Sequence, residues 1–104
     1  MSGSVKILFV IVKETDVWND EPLYAAIVQR LRQLEAAGAT VQAGIMGFGR
    51  HHRVHHKGLF GIPDDRAITI VAVDTEPKLR AILPELRSMS KDALMLLIDG
   101  EAIP

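Results

Sequence analysis

The sequence predicts an α+β domain, and three observations lead there. Apolar runs that read as strands alternate with two helical patterns in the order βαββαβ. Each half of the chain repeats one plan: a strand, a helix opened by an acid and a proline, then a second strand. Two helices can cover only one face of a four-stranded sheet, yet the first and last strands are apolar on both faces. The class expected is a ferredoxin-like βαββαβ sandwich, with a four-stranded antiparallel sheet, two helices on one face and a long connection between the halves.

The elements follow in order. Residues 5–13 are a continuous run of β-branched, aliphatic and aromatic side chains, the mark of a buried strand. Ile7, Phe9 and Ile11 point to one side, Leu8, Val10 and Val12 to the other. Asp20, Glu21 and Pro22 then open a helix. The aspartate serves as cap, the acids favour the positive end of the helix dipole, and proline tolerates the first turn. Leu23, Ile27, Leu31 and Leu34 continue at helical spacing, and Gly38 is expected to stop the helix as a left-handed cap. Residues 40–46 alternate, with Val41, Ala43 and Ile45 on one face, and read as a strand. Residues 47–65 hold four glycines, a proline and all the histidines of the chain. A loop of that length inside a small domain is uncommon and usually functional or mobile.

Residues 66–73 form the next strand. Asp74, Thr75, Glu76 and Pro77 repeat the cap-acid-proline opening, and Leu79, Ile82, Leu83 and Leu86 make a second amphipathic helix. Pro84 is expected to kink or divide it. Residues 93–98 are a last strand, with Leu94, Leu96 and Ile98 set against Met95 and Leu97. The domain is expected to span residues 5–99, after a flexible start at 1–4 and before a short tail at 100–104. Asp99 and Glu101 are read as solvated charges near that tail. An uncovered sheet face as apolar as this one would be a large exposed patch, so an oligomer that packs these faces together is the economical answer.

Bulk properties exclude several classes. A chain of 104 residues with a formal charge of -1 fits one globular domain and gives no support to a general nucleic-acid binder. The absence of cysteine removes disulfide and thiol chemistry, so zinc would have to use histidine and carboxylate. The longest apolar run, residues 7–12, is far too short to span a bilayer, and no small-residue cleavage site follows it. A cytoplasmic protein without membrane insertion is expected. No Ser/His/Asp order, paired carboxylates or P-loop stands out, so a non-enzymatic role is expected.

The chemistry concentrates in residues 47–57, GFGRHHRVHHK. A metal site is one reading: His51 and His55, and His52 and His56, are each four apart and would face one another on a helix. Neutral imidazole suits zinc, copper or nickel. Arg50, Arg53 and Lys57 repel a cation, however, and no carboxylate follows until Asp64 and Asp65. An anion site is a second reading. Gly47 and Gly49 permit left-handed backbone and close approach, so successive N–H groups can form a nest, and Arg50 adds a planar charged fork. A solvated surface loop is the third. Trp18 and Tyr24 are read as packing at the mouth of the first helix, with Trp18 alternatively stacking on a base.

Several motifs in register carry a resemblance. Gly47-Phe48-Gly49-Arg50 stands where PII signal-transduction proteins end their second strand and open the long T-loop. A PII-like branch of poorly assigned function has the pattern Trp-x-x-x-Pro-Leu-Tyr-x-Ala-Ile, matched by Trp18 and by Pro22 through Ile27. Its Gly-Ala-Thr-Val is matched from Gly38 to Val41, its Gly-Ile-Met-Gly-Phe-Gly from Gly44 to Gly49, and its Arg-apolar-His by Arg53, Val54 and His55. Ile82-Leu83-Pro84-Glu85-Leu86 is similar to its second helix. The chain thus resembles the PII-like family over most of its length.

That resemblance implies a homotrimer, its sheets packed around a central axis, with an adenine nucleotide in the clefts between subunits. It implies that a transporter or enzyme is engaged through the loop. By position, Gly47, Gly49 and Arg50 would lie near the nucleotide, and Arg53 and His55 in the loop proper. Where PII proteins carry a glycine-rich phosphate turn with a lysine, this chain reads Arg87-Ser88-Met89-Ser90-Lys91-Asp92, and Lys91 alone stands in for it. The PII C-terminal arginines have no counterpart and the loop has no tyrosine. The function expected is a regulator that binds an adenine nucleotide or similar small anion and contacts a partner through residues 47–65. The alternative is a CutA-like metal-binding trimer using His51, His52, His55 and His56.

Overall fold

The computed structural model describes residues 2–48, 55–56 and 65–104. Within them the chain runs β1 (Gly3–Lys13), α1 (Leu23–Gln33), β2 (Ala39–Ala43), β3 (Ala67–Asp74), α2 (Glu76–Met89) and β4 (Leu94–Ala102). The strands form one sheet in the order β2–β3–β1–β4, every pair antiparallel. This is the ferredoxin-like arrangement, and both helices pack on one face.

The core is built from alternate residues of each strand, as a two-residue period requires. Leu8, Val10 and Val12 of β1 and Ile68, Ile70 and Ala72 of β3 are buried beneath the helices. From α1 come Leu23, Ala26, Ile27 and Leu31, and from α2 Leu79, Ile82, Leu86 and Met89, each set recurring at helical spacing. Burying one such aliphatic side chain stabilises the fold by roughly 1.5–3 kcal/mol.

The other face of the sheet stays apolar. Ile7 lies opposite Ile98 and Val73, Phe9 opposite Leu96 and Val71, and Ile11 opposite Leu94 and Thr69. Leu94, Leu96 and Ile98 are 54%, 43% and 44% exposed. The two-sided apolarity read from the sequence is therefore present as a half-exposed hydrophobic face. A side-chain carbon on Gly100 would come within 2.9 Å of Ile7 Cδ1, so the end of the Ile7 side chain would have to move aside.

Several local expectations are corrected. Asp20 does not cap α1. Asn19 and Asp20 are both left-handed (φ 48° and 66°) and join two short strands, Val17–Trp18 and Glu21–Pro22. Consecutive positive φ values suit the tight two-residue hairpin turn that asparagine and aspartate tolerate. The helix starts after this hairpin, with Pro22 at its N-cap and no side-chain cap bond.

Nor does Gly38 close α1. Glu35 takes the left-handed conformation (φ 62°). Its N–H donates to the Arg32 carbonyl at 3.0 Å, and the Ala36 N–H to the Leu31 carbonyl at 3.0 Å. That pair of bonds is a Schellman ending, formed here without glycine. Pro84 does not divide α2, which is one helix from Glu76 to Met89. It removes a single ladder bond at an exposed position, while the buried leucine, isoleucine and methionine stripe holds the turns on either side.

The sheet also reaches beyond residues 5–99. Gly3 and Ser4 pair with Ala102 and Glu101, so both ends of the chain contribute to it. Asp99 is not simply solvated: Lys6 Nζ donates to its carboxylate. Lys6 also lies 3.9 Å from Glu76, whose carboxylate receives Arg80 Nε at 2.7 Å. The second strand is shorter than expected, ending at Ala43, because the chain then leaves the sheet toward the loop.

Candidate functional site

An open cleft of about 1260 Å³ lies at one end of the sheet. Four segments meet there: the end of β1 with the turn after it, the root of the loop, the start of β3, and the turn between α2 and β4. The volume exceeds the roughly 300–1,000 Å³ usual for a small-molecule pocket, as befits a site open on one side. Its floor includes Ile11, Thr69 and Leu94, three residues of the half-exposed sheet face. Cleft and apolar face are therefore continuous.

The turn after β1 is closed by three hydrogen bonds. The Asp16 carboxylate accepts the Lys13 N–H at 3.0 Å, the Asp16 N–H donates to the Lys13 carbonyl at 3.1 Å, and the Asp16 carbonyl accepts the Leu23 N–H at 2.8 Å. Thr15, held in this turn, donates its hydroxyl to Asp65 Oδ1 at 2.7 Å. Beside it Glu14 takes Arg66 on one carboxylate oxygen, from Nε at 3.1 Å and from Nη2 at 2.5 Å. The Glu14 N–H donates to the Arg66 carbonyl at 2.8 Å. These bonds fix the point at which the chain returns from the loop to the sheet.

On the opposite wall Arg87 organises the turn after α2. Its Nη1 donates to the carbonyls of Ser90 (3.3 Å), Lys91 (3.0 Å) and Ala93 (3.0 Å). Ser90 Oγ accepts the Ala93 N–H at 3.1 Å. Lys91 is carried, exposed, on a turn held by a permanently charged side chain. At the loop root the Gly44 N–H donates to the Ala67 carbonyl at 2.8 Å. Beyond it Met46–Gly47 pairs with His55–His56, Gly47 opposite His55.

Of the residues expected to bind a ligand, Gly47 and Lys91 line this one cleft although 44 positions separate them. The backbone of His55 is strand, and Gly49, Arg50 and Arg53 lie outside the described residues. Gly47 is also extended strand rather than the left-handed nest element expected, and a side-chain carbon there would meet nothing within 4 Å. In the metal reading His51 and His52 lie outside the described residues, and His55–His56 is strand, not the helix that would bring i and i+4 imidazoles together. Among the described residues no group of three or more metal-ligating side chains is assembled.

The described lining brings Lys13 and Lys91 together with Asp16, Asp65 and Asp92, so it is not strongly basic. Sequence reasoning passed over Glu14, Thr15, Asp16, Asp65 and Arg87. The run Glu14-Thr15-Asp16 after an apolar strand is a turn signal, but nothing local marks Asp65 and Arg66, 50 and 52 residues from Thr15 and Glu14, as its partners. Trp18 stands on the hairpin beside the cleft. The Arg30 guanidinium carbon lies 5.9 Å from its ring centroid, and Arg30 also bonds Glu85 at 2.6 Å. The indole thus has a cation over its face and packs partly into the core.

Comparison with known proteins places this geometry in context. The DUF190 family, described as "Uncharacterized ACR", matches residues 5–102. A UPF0166 protein of Aquifex aeolicus is 26% identical over 98 residues, 94% of this chain and 92% of its own length. A second, from Methanocaldococcus jannaschii, is 30% identical over 93 residues, covering 89% and 85%. Among solved structures, CPII of Thiomonas intermedia K12, a nitrogen regulatory PII-like protein bound to ADP, AMP and bicarbonate, superposes with a TM-score of 0.62 at 20% identity. It covers 95% of this chain and 88% of its own. CutA of Synechococcus elongatus, complexed with Bis-Tris, gives a TM-score of 0.63 at 16% identity over 99% and 85%. At these identities the two structures establish the shared fold, PII-like and ferredoxin-like. No helix among the described residues is long and apolar enough to cross a membrane.

Proposed function

We propose the following reading from one premise, that the chain belongs to the DUF190 family and carries a PII-like fold: it is a regulatory protein rather than an enzyme. Its subunits form a trimer through the half-exposed sheet faces, and each cleft, closed by a neighbouring subunit, takes an adenine nucleotide or similar small anion. Residues 47–65 carry the resulting signal to a protein partner. The observation that supports this best is the cleft itself. It joins the loop root at Gly47 to the Lys91 turn, and its floor runs into the apolar face through Ile11 and Leu94. A subunit packed on that face would wall the cleft's open side. The nucleotides named for the CPII structure, ADP and AMP, are ligands of a suitable size.

Of the two lysines in the described lining, Lys13 and Lys91, Lys91 meets the ligand's anionic end in this reading. A charge-assisted hydrogen bond of this kind is worth about 1.5–3 kcal/mol, so Lys91→Ala should weaken binding roughly 10- to 100-fold and leave the ligand-free melting temperature unchanged. The test is a thermal-shift panel on metal-stripped protein with AMP, ADP, ATP, cyclic AMP and zinc. A ligand at a hundred times its Kd stabilises the folded state by about 2.7 kcal/mol. A shift with an adenylate, reduced in Lys91→Ala, is the expected result. A shift with zinc and with no adenylate would overturn the reading and return the histidines to consideration.

A further inference from the structure

Two bonds tie the turn after β1 to the chain's return from the loop, and they differ in where they stand. Glu14–Arg66 is a two-toothed ion pair, its side chains only 25% and 27% exposed, and neither residue lines the cleft. Thr15 and Asp65 do line it. Their single hydrogen bond, 2.7 Å long, is exposed. Thr15 itself cannot drift, because the Lys13–Asp16 bonds and the Asp16–Leu23 bond fix its turn to β1 and to the start of α1. Asp65 stands between the loop and Arg66, two positions before β3 begins, and the Thr15 hydroxyl holds its side chain.

We infer that Thr15 is a positioning residue, whose hydroxyl holds the Asp65 carboxylate against the cleft wall and so sets where the loop re-enters the sheet. Glu14 and Arg66 anchor the strand end permanently. Thr15 and Asp65 form the joint that a cleft occupant meets, because a hydroxyl or amino group on that occupant competes for the same carboxylate oxygen. Occupancy is thereby transmitted to the loop's root through one exchangeable bond. The competing arm of this inference rests on the adenylate reading given above, and the joint itself does not.

The test is amide hydrogen exchange, resolved by residue, on the full chain as Thr15→Val and Thr15→Ser. Valine keeps the shape and removes the hydroxyl; serine keeps the hydroxyl. Without ligand, Thr15→Val is expected to speed exchange at Arg66 and Ala67 about 3- to 10-fold, the effect of losing one ordinary hydrogen bond. Thr15→Ser should stay near wild type. Exchange in the centre of β1 and the melting temperature should be unchanged in both, which separates local positioning from loss of fold. Equal exchange at Arg66 and Ala67 in wild type and Thr15→Val would overturn the inference. With saturating AMP, exchange at these two amides should change in wild type and not in Thr15→Val. AMP that shifts the melting temperature of wild type while leaving both amides untouched would refute the transmission and leave the nucleotide reading standing. An absence of AMP binding would sink the nucleotide reading, and the ligand-free comparison would still decide the joint.

Discussion

Replacing Leu96 with glutamate should break the proposed trimer without unfolding the subunit. Leu96 sits mid-strand on the half-exposed sheet face, opposite Phe9 and between Leu94 and Ile98. At 54%, 43% and 44% exposure, Leu94, Leu96 and Ile98 each have close to half of their surface still to bury. Full burial of such a side chain gives roughly 1.5–3 kcal/mol, so each stands to add about 1 kcal/mol on packing against a second subunit. Leu96→Glu forgoes that amount and also places an unpaired carboxylate at the centre of the proposed interface. Burying such a charge costs several kcal/mol. A net loss above about 3 kcal/mol corresponds to more than a hundredfold in association. Light scattering during size exclusion should report a trimer for the wild type and a monomer for the variant. Far-ultraviolet circular dichroism should coincide, because position 96 already meets water in the single subunit. Leu96→Glu with an unchanged oligomeric mass would refute the assignment of this face as the interface.

Two further outcomes follow from features away from that face. Glu35→Gly should stabilise the protein by about 0.5–1 kcal/mol, because relief of left-handed strain (roughly 1–2 kcal/mol) exceeds the added entropy of the unfolded chain (about 0.5–1 kcal/mol). Gly38→Ala, where φ is not positive and nothing lies within 4 Å, should be neutral or mildly stabilising, urea titration of both variants being the measurement. Destabilisation by both would mean that Gly38 is the cap after all. Acid should weaken the fold through the Lys6 cluster. The hydrogen bond from Lys6 holds the Asp99 carboxyl below its ordinary value, and the bond from Arg80, then the charge of Lys6, does the same for Glu76. Depressed carboxyls contribute stability that is present above their unfolded pKa values, about 3.9 and 4.3. That stability is lost as pH falls through the lower folded ones. Urea midpoints between pH 5 and 2 should therefore fall less steeply in Lys6→Met than in wild type; identical slopes would dismiss the cluster. The alkaline side mirrors this, since the Asp99 bond raises Lys6. Its contribution is complete below about pH 10.4 and disappears as pH climbs through the raised value.

The architecture was legible because long-range pairing here obeys local pattern. Continuous apolar runs mark β1 and β4, helical stripes mark α1 and α2, and the order of elements leaves few topologies. Element ends were less legible. Asp20 before Glu21 and Pro22 looks like a capping aspartate, and only the pairing of Val17–Trp18 with Glu21–Pro22 shows it in a hairpin turn. Gly38 looked like the helix stop because glycine takes left-handed backbone most cheaply; Glu35 takes it instead, since two carbonyl bonds and the packing of Ala36 hold it there. Of the site, the sequence indicated Gly47 and Lys91, one by a glycine-rich motif and the other by resemblance. It could not indicate Thr15 with Asp65 or Glu14 with Arg66. Such pairs have no period, and only the antiparallel register of β1 and β3 brings them together.

That register has a consequence for synthesis. β1 is a central strand, but its two neighbours reach it at different times. β3 ends at Asp74, whereas β4 finishes only at Ala102. At translation rates of about 5–20 residues per second, the gap lasts on the order of seconds. Throughout it the nascent chain presents Lys6 to Ile11 with an unpaired edge and an apolar surface, a pattern that recruits strands from other chains. Closing the sheet depends on pairing strands more than 80 residues apart, contacts whose loop-closure entropy must be met before they form. High-level expression should thus be limited less by the stability of the finished domain than by the wait for its final strand.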